Sequence, residues 1–206
     1  MKYIKDPLKI EEKSFEIIKS NIKREFTLDE IPVVLRAIHS TGDYDYENII
    51  RFKNKPVNVG IETIRGGTKV FTDTKMALSG INKKSLLITE SSIHCYIDEE
   101  KIYEISRLKK ITRSMAAIDK AVEDGTEVFV IGNAPTALFR LCEYIEKGII
   151  LPKLIIGVPV GFVGAEESKE ILYKLDVPSI TTKGTKGGSN VAAAIFNAIL
   201  YMAVGR

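Results

Sequence analysis

The amino-acid sequence predicts an open three-layer α/β/α domain with a mostly parallel sheet. Short apolar runs of strand length alternate with longer stretches of helical periodicity, which is typical of successive βαβ units. The runs VFVI (128–131) and LIIG (154–157) are continuously apolar, as expected of strands that helices cover on both faces. The chain of 206 residues is long enough for a sizeable core, and we predict one domain over residues 1–206.

Two helices are predicted before the first strand. Residues 10–23 place isoleucines near helical spacing, and residues 27–43 form a second helical stretch. The start of the second helix allows two interpretations. Thr27 and Glu30 resemble a capping box, and Asp29 as the cap, with a proline in the first turn, fits equally well.

The middle of the chain alternates between polar and apolar stretches. The polar residues 43–55 are the best candidate for a flexible segment. After them we predict a strand at 56–61, a turn or brief helix at 62–67, a strand at 69–73, a short helix at 74–81 and two possible strands at 85–89 and 93–97.

The C-terminal half has the clearest alternation of strand and helix. A helix is predicted at 111–125, and it ends at a glycine. Apolar runs of strand length follow, each with a helical stretch after it. The predicted strands are 127–132, 154–160 and 178–182, and the helices are 134–148, 165–175 and 189–204. The last helix is apolar but shorter than the roughly 20 residues of a membrane span, so we expect it to be buried.

Composition excludes several classes of function. Lys and Arg total 30 while Asp and Glu total 27, so the net charge of +3 does not indicate a nucleic-acid-binding protein. The two cysteines and two histidines are too few and too scattered to predict a disulfide framework or a metal site. The first residues include acidic side chains and no apolar core, so no signal peptide is expected and the predicted location is cytoplasmic.

Four predicted strands are followed by loops rich in small residues. Ligands of open α/β sheets bind beyond the carboxyl ends of the strands, where these loops would meet. Each loop leads into a helix N-terminus, which favours carboxylates and phosphates. None matches a dinucleotide or NTPase fingerprint, and any single glycine is explained by a turn or tight packing. Together they predict a site for a large anionic ligand, with candidate contacts at Thr136, Gly161, Gly187 and Gly188.

Three basic residues near these loops are candidates for pairing with ligand anions. Lys183 and Lys186 lie in the glycine-rich loop after the last strand, although a lysine pair is usually only solvated. Arg113 lies near a helix N-terminus, where a cation is mildly unfavourable. That position indicates an anionic partner, with an exposed arginine as the ordinary alternative.

One histidine has a setting that suits acid catalysis. Arg36 and His39 are three residues apart on the second helix and therefore share a face. His39 falls in the last turn, beside Gly42, where the helix dipole favours the protonated imidazole. A proton donor near neutral pH is one interpretation, and a helix-stabilising histidine without chemistry is the other.

Six strings in this chain resemble the precorrin-8X methylmutase family of cobalamin biosynthesis. The resemblance spans nearly the whole chain, and both the order and the spacing of the strings agree. The strings are KSFEII (13–18), LRAIHSTGD (35–43), TRSMAA (112–117), IGNAPTALF (131–139), GVPVGFVGAEESK (157–169) and GTKGGSNVAAA (184–194).

The resemblance implies a flavodoxin-like three-layer sandwich and a homodimer. It also implies an isomerase that moves a methyl group from C11 to C12 of a tetrapyrrole bearing several carboxylates. The product would be hydrogenobyrinate or its cobalt counterpart, cobyrinate. No redox cofactor, nucleotide or methyl donor would be consumed.

The resemblance also assigns roles to individual residues. The catalytic histidine of the family falls on His39, which would donate a proton or a hydrogen bond to the rearranging ring region. The substrate-contacting serine and arginines fall on Ser14, Arg36 and Arg113. The family often carries arginines around positions 183 to 186, where this chain has lysines that keep the charge but lose the bidentate fork.

Two other functions are compatible with these patterns. A non-catalytic corrinoid-binding carrier of the same pathway would need the same site, and turnover to a spectrally distinct product separates it from an enzyme. A flavodoxin-like enzyme for a nucleotide or sugar phosphate would also use small-residue loops, but the nucleotide fingerprints are missing.

Overall fold

The computed structural model describes residues 3–206 and contains a six-stranded sheet. Its order is β1-β6-β5-β4-β2-β3, with β1 antiparallel to β6 and every other neighbouring pair parallel. The predicted mostly parallel sheet is therefore confirmed. The strands are β1 (Ile50–Lys53), β2 (Lys69–Thr72), β3 (Ser92–His94), β4 (Val128–Ile131), β5 (Leu154–Gly157) and β6 (Ser179–Thr182).

Helices cover both faces of the sheet. One layer consists of α1 (Pro7–Asn21), α2 (Ile31–Thr41), α4 (Pro56–Arg65), α5 (Lys75–Gly80), α6 (Lys83–Ile88) and α11 (Ser189–Ala203). The other consists of α7 (Glu100–Lys109), α8 (Arg113–Glu123), α9 (Pro135–Glu146) and α10 (Ala165–Lys174). The short helix α3 (Tyr46–Ile49) leads directly into β1. The three-layer α/β/α prediction is confirmed.

The strand order has a functional consequence. Without the edge strand β1, the order β3-β2-β4-β5-β6 is that of flavodoxin-like folds. The chain reverses its direction of travel between β2 and β4, and ligands of such sheets bind near that switch point. At this point the β2–α5 loop leads to one helix layer and the β4–α9 loop leads to the other. Loops that belong to both layers therefore lie side by side there.

The core has one apolar cluster on each face of the sheet. The first cluster centres on α11, which packs along α2 and is buried over most of its length. Its position between the sheet and helices α2, α4, α5 and α6 explains its apolar sequence and confirms the predicted burial. The second cluster joins α8 and α9 to the opposite face of β4 and β5.

Two predicted strands are helices instead. Residues 56–61 belong to α4, whose buried positions Pro56, Val57, Gly60 and Ile64 have helical spacing. The alternating valines there suggested a strand, but Pro56 fixes its own φ for a first helical turn. Residues 85–89 fall largely in α6, where the Asn82 side chain caps the helix by accepting from the Ser85 amide.

The segment predicted to be flexible is ordered. Residues 43–55 contain α3 and β1, and β1 pairs with β6 as an edge strand. Its polar residues suggested a flexible segment. In the fold, however, Arg51 and Lys53 make polar contacts with α10. No element was predicted where α7 lies, and the possible strand at 93–97 corresponds to the shorter β3.

The start of α2 combines parts of both sequence interpretations. Thr27 and Glu30 exchange side-chain to backbone hydrogen bonds at 3.1 and 3.4 Å, which is the capping-box pattern. These bonds close a turn just before the helix, whose N-cap is Glu30. Asp29 is not the cap, because the helix begins two residues later with a proline in its first turn.

Candidate active site

A cleft of about 320 Å³ lies between α2, α5 and α11 near the carboxyl edge of the sheet. The segment after α2 returns to this edge, and α5 and α11 start from it, so the fold alone brings the three helices together. The lining residues are Arg36, His39, Ser40, Met76, Gly80, Asn190, Ala193, Ala194 and Asn197. The cleft therefore contains two residues predicted from the sequence, Arg36 and His39.

His39 occupies the last turn of α2, as predicted, and its side chain is exposed. Gly42 ends the helix in the left-handed conformation with φ of 66°. The imidazole packs edge to face against Phe15 of α1, with the ring centroids 5.4 Å apart. This contact orients the ring while leaving it open to the cleft.

Arg36 is held firmly beside His39. Its Nη1 lies 2.8 Å from Oε1 of Glu11. Its Cζ lies 5.2 Å from the ring centroid of Phe15 and 4.7 Å from that of Tyr201. Stacking between two aromatic rings fixes the plane of the guanidinium. Ser14 lies next to Phe15 on α1, where its hydroxyl donates to the Ile10 carbonyl at 2.7 Å.

The two glycine-bearing loops after β5 and β6 form one tied unit. The Gly188 amide donates to the Val158 carbonyl at 2.9 Å, and the Gly161 amide donates to the Thr185 carbonyl at 3.1 Å. A Cβ at Gly187 would lie 2.1 Å from the Val158 oxygen, so only glycine fits there. The glycines first serve this close approach of backbone to backbone at the rim of the site.

The two lysines of the last loop have different surroundings. The Lys186 ammonium contacts Asp43 at 2.6 Å and Asp45 at 3.0 Å, in the segment that follows α2. These carboxylates raise the pKa of Lys186, and Lys186 in turn lowers the pKa of Asp43. Lys183 is exposed, and its backbone amide donates to the Ile49 carbonyl.

Thr136 and Arg113 lie in the other helix layer and do not line the cleft. The Thr136 hydroxyl is 3.0 Å from that of Thr112, which caps α8. The Arg113 guanidinium stacks on Tyr103 and donates to its hydroxyl at 2.5 Å. The two residues mark the N-termini of α8 and α9, on the side of the sheet opposite the cleft.

Sequence reasoning missed Asp73, which fills the switch point. Its carboxylate is almost fully buried and accepts from the amides of Gly132, Asn133 and Ala134 at 3.0, 2.8 and 2.8 Å. Burial raises the pKa of this carboxyl, while the three amide donors act in the opposite direction. The signal was present, because an aspartate directly after an apolar strand lies at the ligand-binding edge.

Residues 3–206 contain neither a candidate metal cluster nor a helix that could span a membrane. In this range no three His, Cys, Asp or Glu side chains are grouped so that they could hold a metal ion. None of the helices in the same range has the length and apolar character needed to cross a bilayer.

The model of the precorrin-8X methylmutase family matches residues 9–202 of this chain. The chain belongs to this family. A cobalt-precorrin-8 methylmutase of Salmonella typhimurium is 44% identical, and the alignment covers 98% of each chain. A precorrin-8X methylmutase of Pseudomonas aeruginosa is 36% identical over 96% of each chain. A crystal structure of precorrin-8X methylmutase from Thermus thermophilus has a TM-score of 0.89 at 35% identity and covers 96% of this chain and 97% of that one.

The family resemblance drawn from the six sequence strings is therefore confirmed. With it the enzyme class is confirmed, since the relatives named as methylmutases are isomerases. The role is that of a methylmutase in cobalamin biosynthesis, and the carrier alternative is not favoured.

Proposed function

We propose that this methylmutase moves the methyl group of precorrin-8 or cobalt-precorrin-8 from C11 to C12 in the cleft beside His39. One observation supports this site above all. The cleft places an exposed imidazole next to a stacked guanidinium, at the edge of the sheet where ligands of this fold bind. An acid and an anion receptor are the two groups that an isomerase of a carboxylate-bearing macrocycle needs.

Binding is proposed to use charge at the rim and apolar surface within the cleft. The guanidinium of Arg36 receives one substrate carboxylate, because its planar fork matches a carboxylate in two hydrogen bonds. The N-terminus of α11, after Gly188, adds free amides and the positive end of a helix dipole. Met76, Ala193 and Ala194 provide apolar surface for a flat ring.

Catalysis is proposed to combine positioning with proton donation by His39. The reaction is unimolecular, so no nucleophile is required and the substrate atoms balance the product atoms. Binding one bent conformation places the migrating methyl near its destination. The imidazole donates a proton or hydrogen bond to the ring as charge develops, and general acid catalysis supplies about 10²–10⁴-fold.

The other sequence-predicted contacts are part of the proposal. Ser14, beside the Phe15 ring, is placed to contact substrate from α1. Arg113, Thr136 and Lys183 are proposed to bind peripheral carboxylates at the same edge of the sheet. Lys186 is a weaker candidate, because two carboxylates of the chain already contact its ammonium.

We infer three further properties of this enzyme. Its substrate is the cobalt form, its active species is a homodimer, and its location is the cytoplasm. Relatives that are 44% and 40% identical bear the name cobalt-precorrin-8 methylmutase, which supports the first point. The homodimer and the location rest on resemblance to the family. Light scattering of the purified protein, turnover of matched substrates with and without cobalt, and cell fractionation test the three points separately.

The decisive experiment compares the two histidines of the chain. We expect His39→Ala to lose at least about 100-fold in kcat while it still binds tetrapyrrole tightly. His94→Ala is the matched control, because His94 is also exposed but lies on the edge strand β3, and its turnover should equal that of the wild type. Turnover is followed by the absorbance change from substrate to product.

Normal turnover by the His39→Ala protein would contradict the assignment of the acid. Tight tetrapyrrole binding without turnover by the wild-type protein would instead favour the carrier. The variant Arg36→Gln tests the cleft itself. If its KM equals that of the wild type, the substrate does not bind in this cleft.

A further inference from the structure

The most unusual buried charge in the structure is Lys169 of α10. Its side chain has no exposed surface, although lysine is almost never fully buried without an acidic partner. Among the described residues, its Nζ bonds the Thr182 hydroxyl at 3.2 Å and the Lys186 carbonyl at 2.9 Å, both uncharged. The adjacent Glu170 pairs instead with Arg51 at 2.7 Å.

The partners of Lys169 lie at the base of the glycine-rich loop. The Thr182 hydroxyl itself donates to the Lys186 carbonyl at 2.7 Å, so two donors converge on one oxygen. The Lys169 ammonium, the Thr182 hydroxyl and the Lys186 carbonyl thus link the end of β6 to the residue just before the glycines. Residues 183–188 are here called the β6–α11 loop. The Lys169 side chain, which belongs to α10, therefore holds this loop in place.

The loop that these bonds fix borders the proposed site. Its last residues, Gly187 and Gly188, precede α11, whose first turns line the cleft. The Lys186 ammonium reaches Asp43, which directly follows the Gly42 cap of the helix that bears His39. A displaced loop would therefore move both the amides at the start of α11 and the segment after α2.

Burial at this position carries an energetic cost. Burial, with a contribution from nearby Arg51, lowers the pKa of Lys169 to about 8. A methionine of similar shape would avoid this cost if the position only required an apolar filler. The bonds of Lys169 to Thr182 and to the Lys186 carbonyl instead point to a role in fixing the loop.

We propose that Lys169 is a positioning residue for substrate binding, which holds the β6–α11 loop in the shape that receives the substrate carboxylates. The proposal rests on the proposed function of the loop and adds a residue that touches no substrate. Its specific consequence is a change in KM and in loop mobility, with little change in kcat, because His39 lies within α2, which packs against α1 and α11, and among the described residues neither Lys169 nor Thr182 hydrogen-bonds a residue of α2.

The test uses Lys169→Met and Thr182→Val, with Lys174→Met as the matched control. Lys174 is an exposed lysine of the same helix, so its loss leaves the loop untouched. We expect KM for cobalt-precorrin-8 to rise about tenfold in each of the first two variants, with kcat within about twofold of the wild type. In the double variant, the rise in KM should be smaller than the product of the two single-variant rises, because both side chains bond the same carbonyl.

Hydrogen exchange gives a readout that requires no substrate. The Gly188 amide, bonded to Val158, should exchange faster in Lys169→Met, while amides of the central strand β4 should not change. Unchanged loop exchange with unchanged KM, or a fall in kcat at constant KM, would overturn the proposal.

Two further outcomes are also decisive. If Lys169→Met does not fold, the isosteric Thr182→Val carries the test, because it removes one of the two converging donors with little change in volume. If the wild type and Lys174→Met turn over neither cobalt-precorrin-8 nor precorrin-8, the proposed function fails, and the exchange result still decides whether Lys169 fixes the loop.

Discussion

At the scale of single residues, the charges near the cleft already have partners within the chain. Arg36 pairs with Glu11, and Lys186 contacts Asp43 and Asp45. A substrate carboxylate that approaches Arg36 must therefore compete with the carboxylate of Glu11 for the same donors. The resting site is held in a defined geometry at some cost in affinity for an anion.

This competition gives a prediction of a definite sign. Glu11→Gln should lower KM for the polycarboxylate substrate by about two- to fivefold, since a partly exposed pair of this kind contributes about 0.2–1 kcal/mol. Glu16→Gln is the control, because Glu16 on the same helix pairs with exposed Lys13 and not with Arg36. Steady-state turnover of both variants as a function of substrate concentration measures the effect, and a raised KM in Glu11→Gln would show that Glu11 supports Arg36 instead of competing for it.

At the scale of elements, the rim of the site depends on the close approach of the β5–α10 and β6–α11 loops. Gly187→Ala should destabilise the protein by about 1–3 kcal/mol, because the added Cβ would overlap the Val158 carbonyl. Gly66→Ala is the control, since its nearest atom would lie at an ordinary 3.6 Å, and this change should be neutral or slightly stabilising. Denaturant unfolding of both variants measures the difference, and equal stability would contradict the close approach.

The same scale shows what the sequence could predict. Elements with continuous apolar runs, such as β4 and β5, were predicted within a few residues, because burial on both faces leaves a strong pattern. The edge strand β1 was missed because its pairing with β6 and its cover by α10 come from distant residues. The helix α4 was read as a strand because its valines alternate by chance within a helical stretch.

Site residues divide along the same line. The placement of His39 and Arg36 on one face of α2, near its glycine cap, could be predicted, while their proposed roles rest on the family resemblance. The position of Asp73 after a strand pointed to the ligand-binding edge, but its partners, and those of Lys169, could not be assigned, because they lie about 60 and 13–17 residues away along the chain. A spacing pattern within one element carries no information about such contacts.

At the scale of the whole molecule, stability should depend on acid pH through carboxyls that pair with cations. Asp119 is the most buried of these, and it joins α8 to α9 by accepting from Arg140 at 2.7 Å and from the Tyr144 hydroxyl at 2.8 Å. Burial opposes ionisation, but Arg140 and Tyr144 outweigh it and lower the pKa of Asp119 below the ordinary 3.8. This pair of helices lies on the face of the sheet opposite the cleft that holds His39.

The sign of the pH dependence follows from that lowered pKa. Because the folded protein binds the Asp119 proton less tightly than the unfolded chain does, the ion pair contributes its full stability above pH 3.8 and loses it as the pH falls below that value. Asp119→Asn should therefore cost about 3 kcal/mol at pH 7, and the difference from the wild type should shrink toward pH 2. Asp98→Asn, which removes an exposed partner of Lys75, should differ far less from the wild type at either pH, because solvent screens this surface pair. Urea unfolding at each pH checks both variants, and a difference for Asp119→Asn that stays constant with pH would mean that the carboxylate charge contributes nothing to holding α8 against α9.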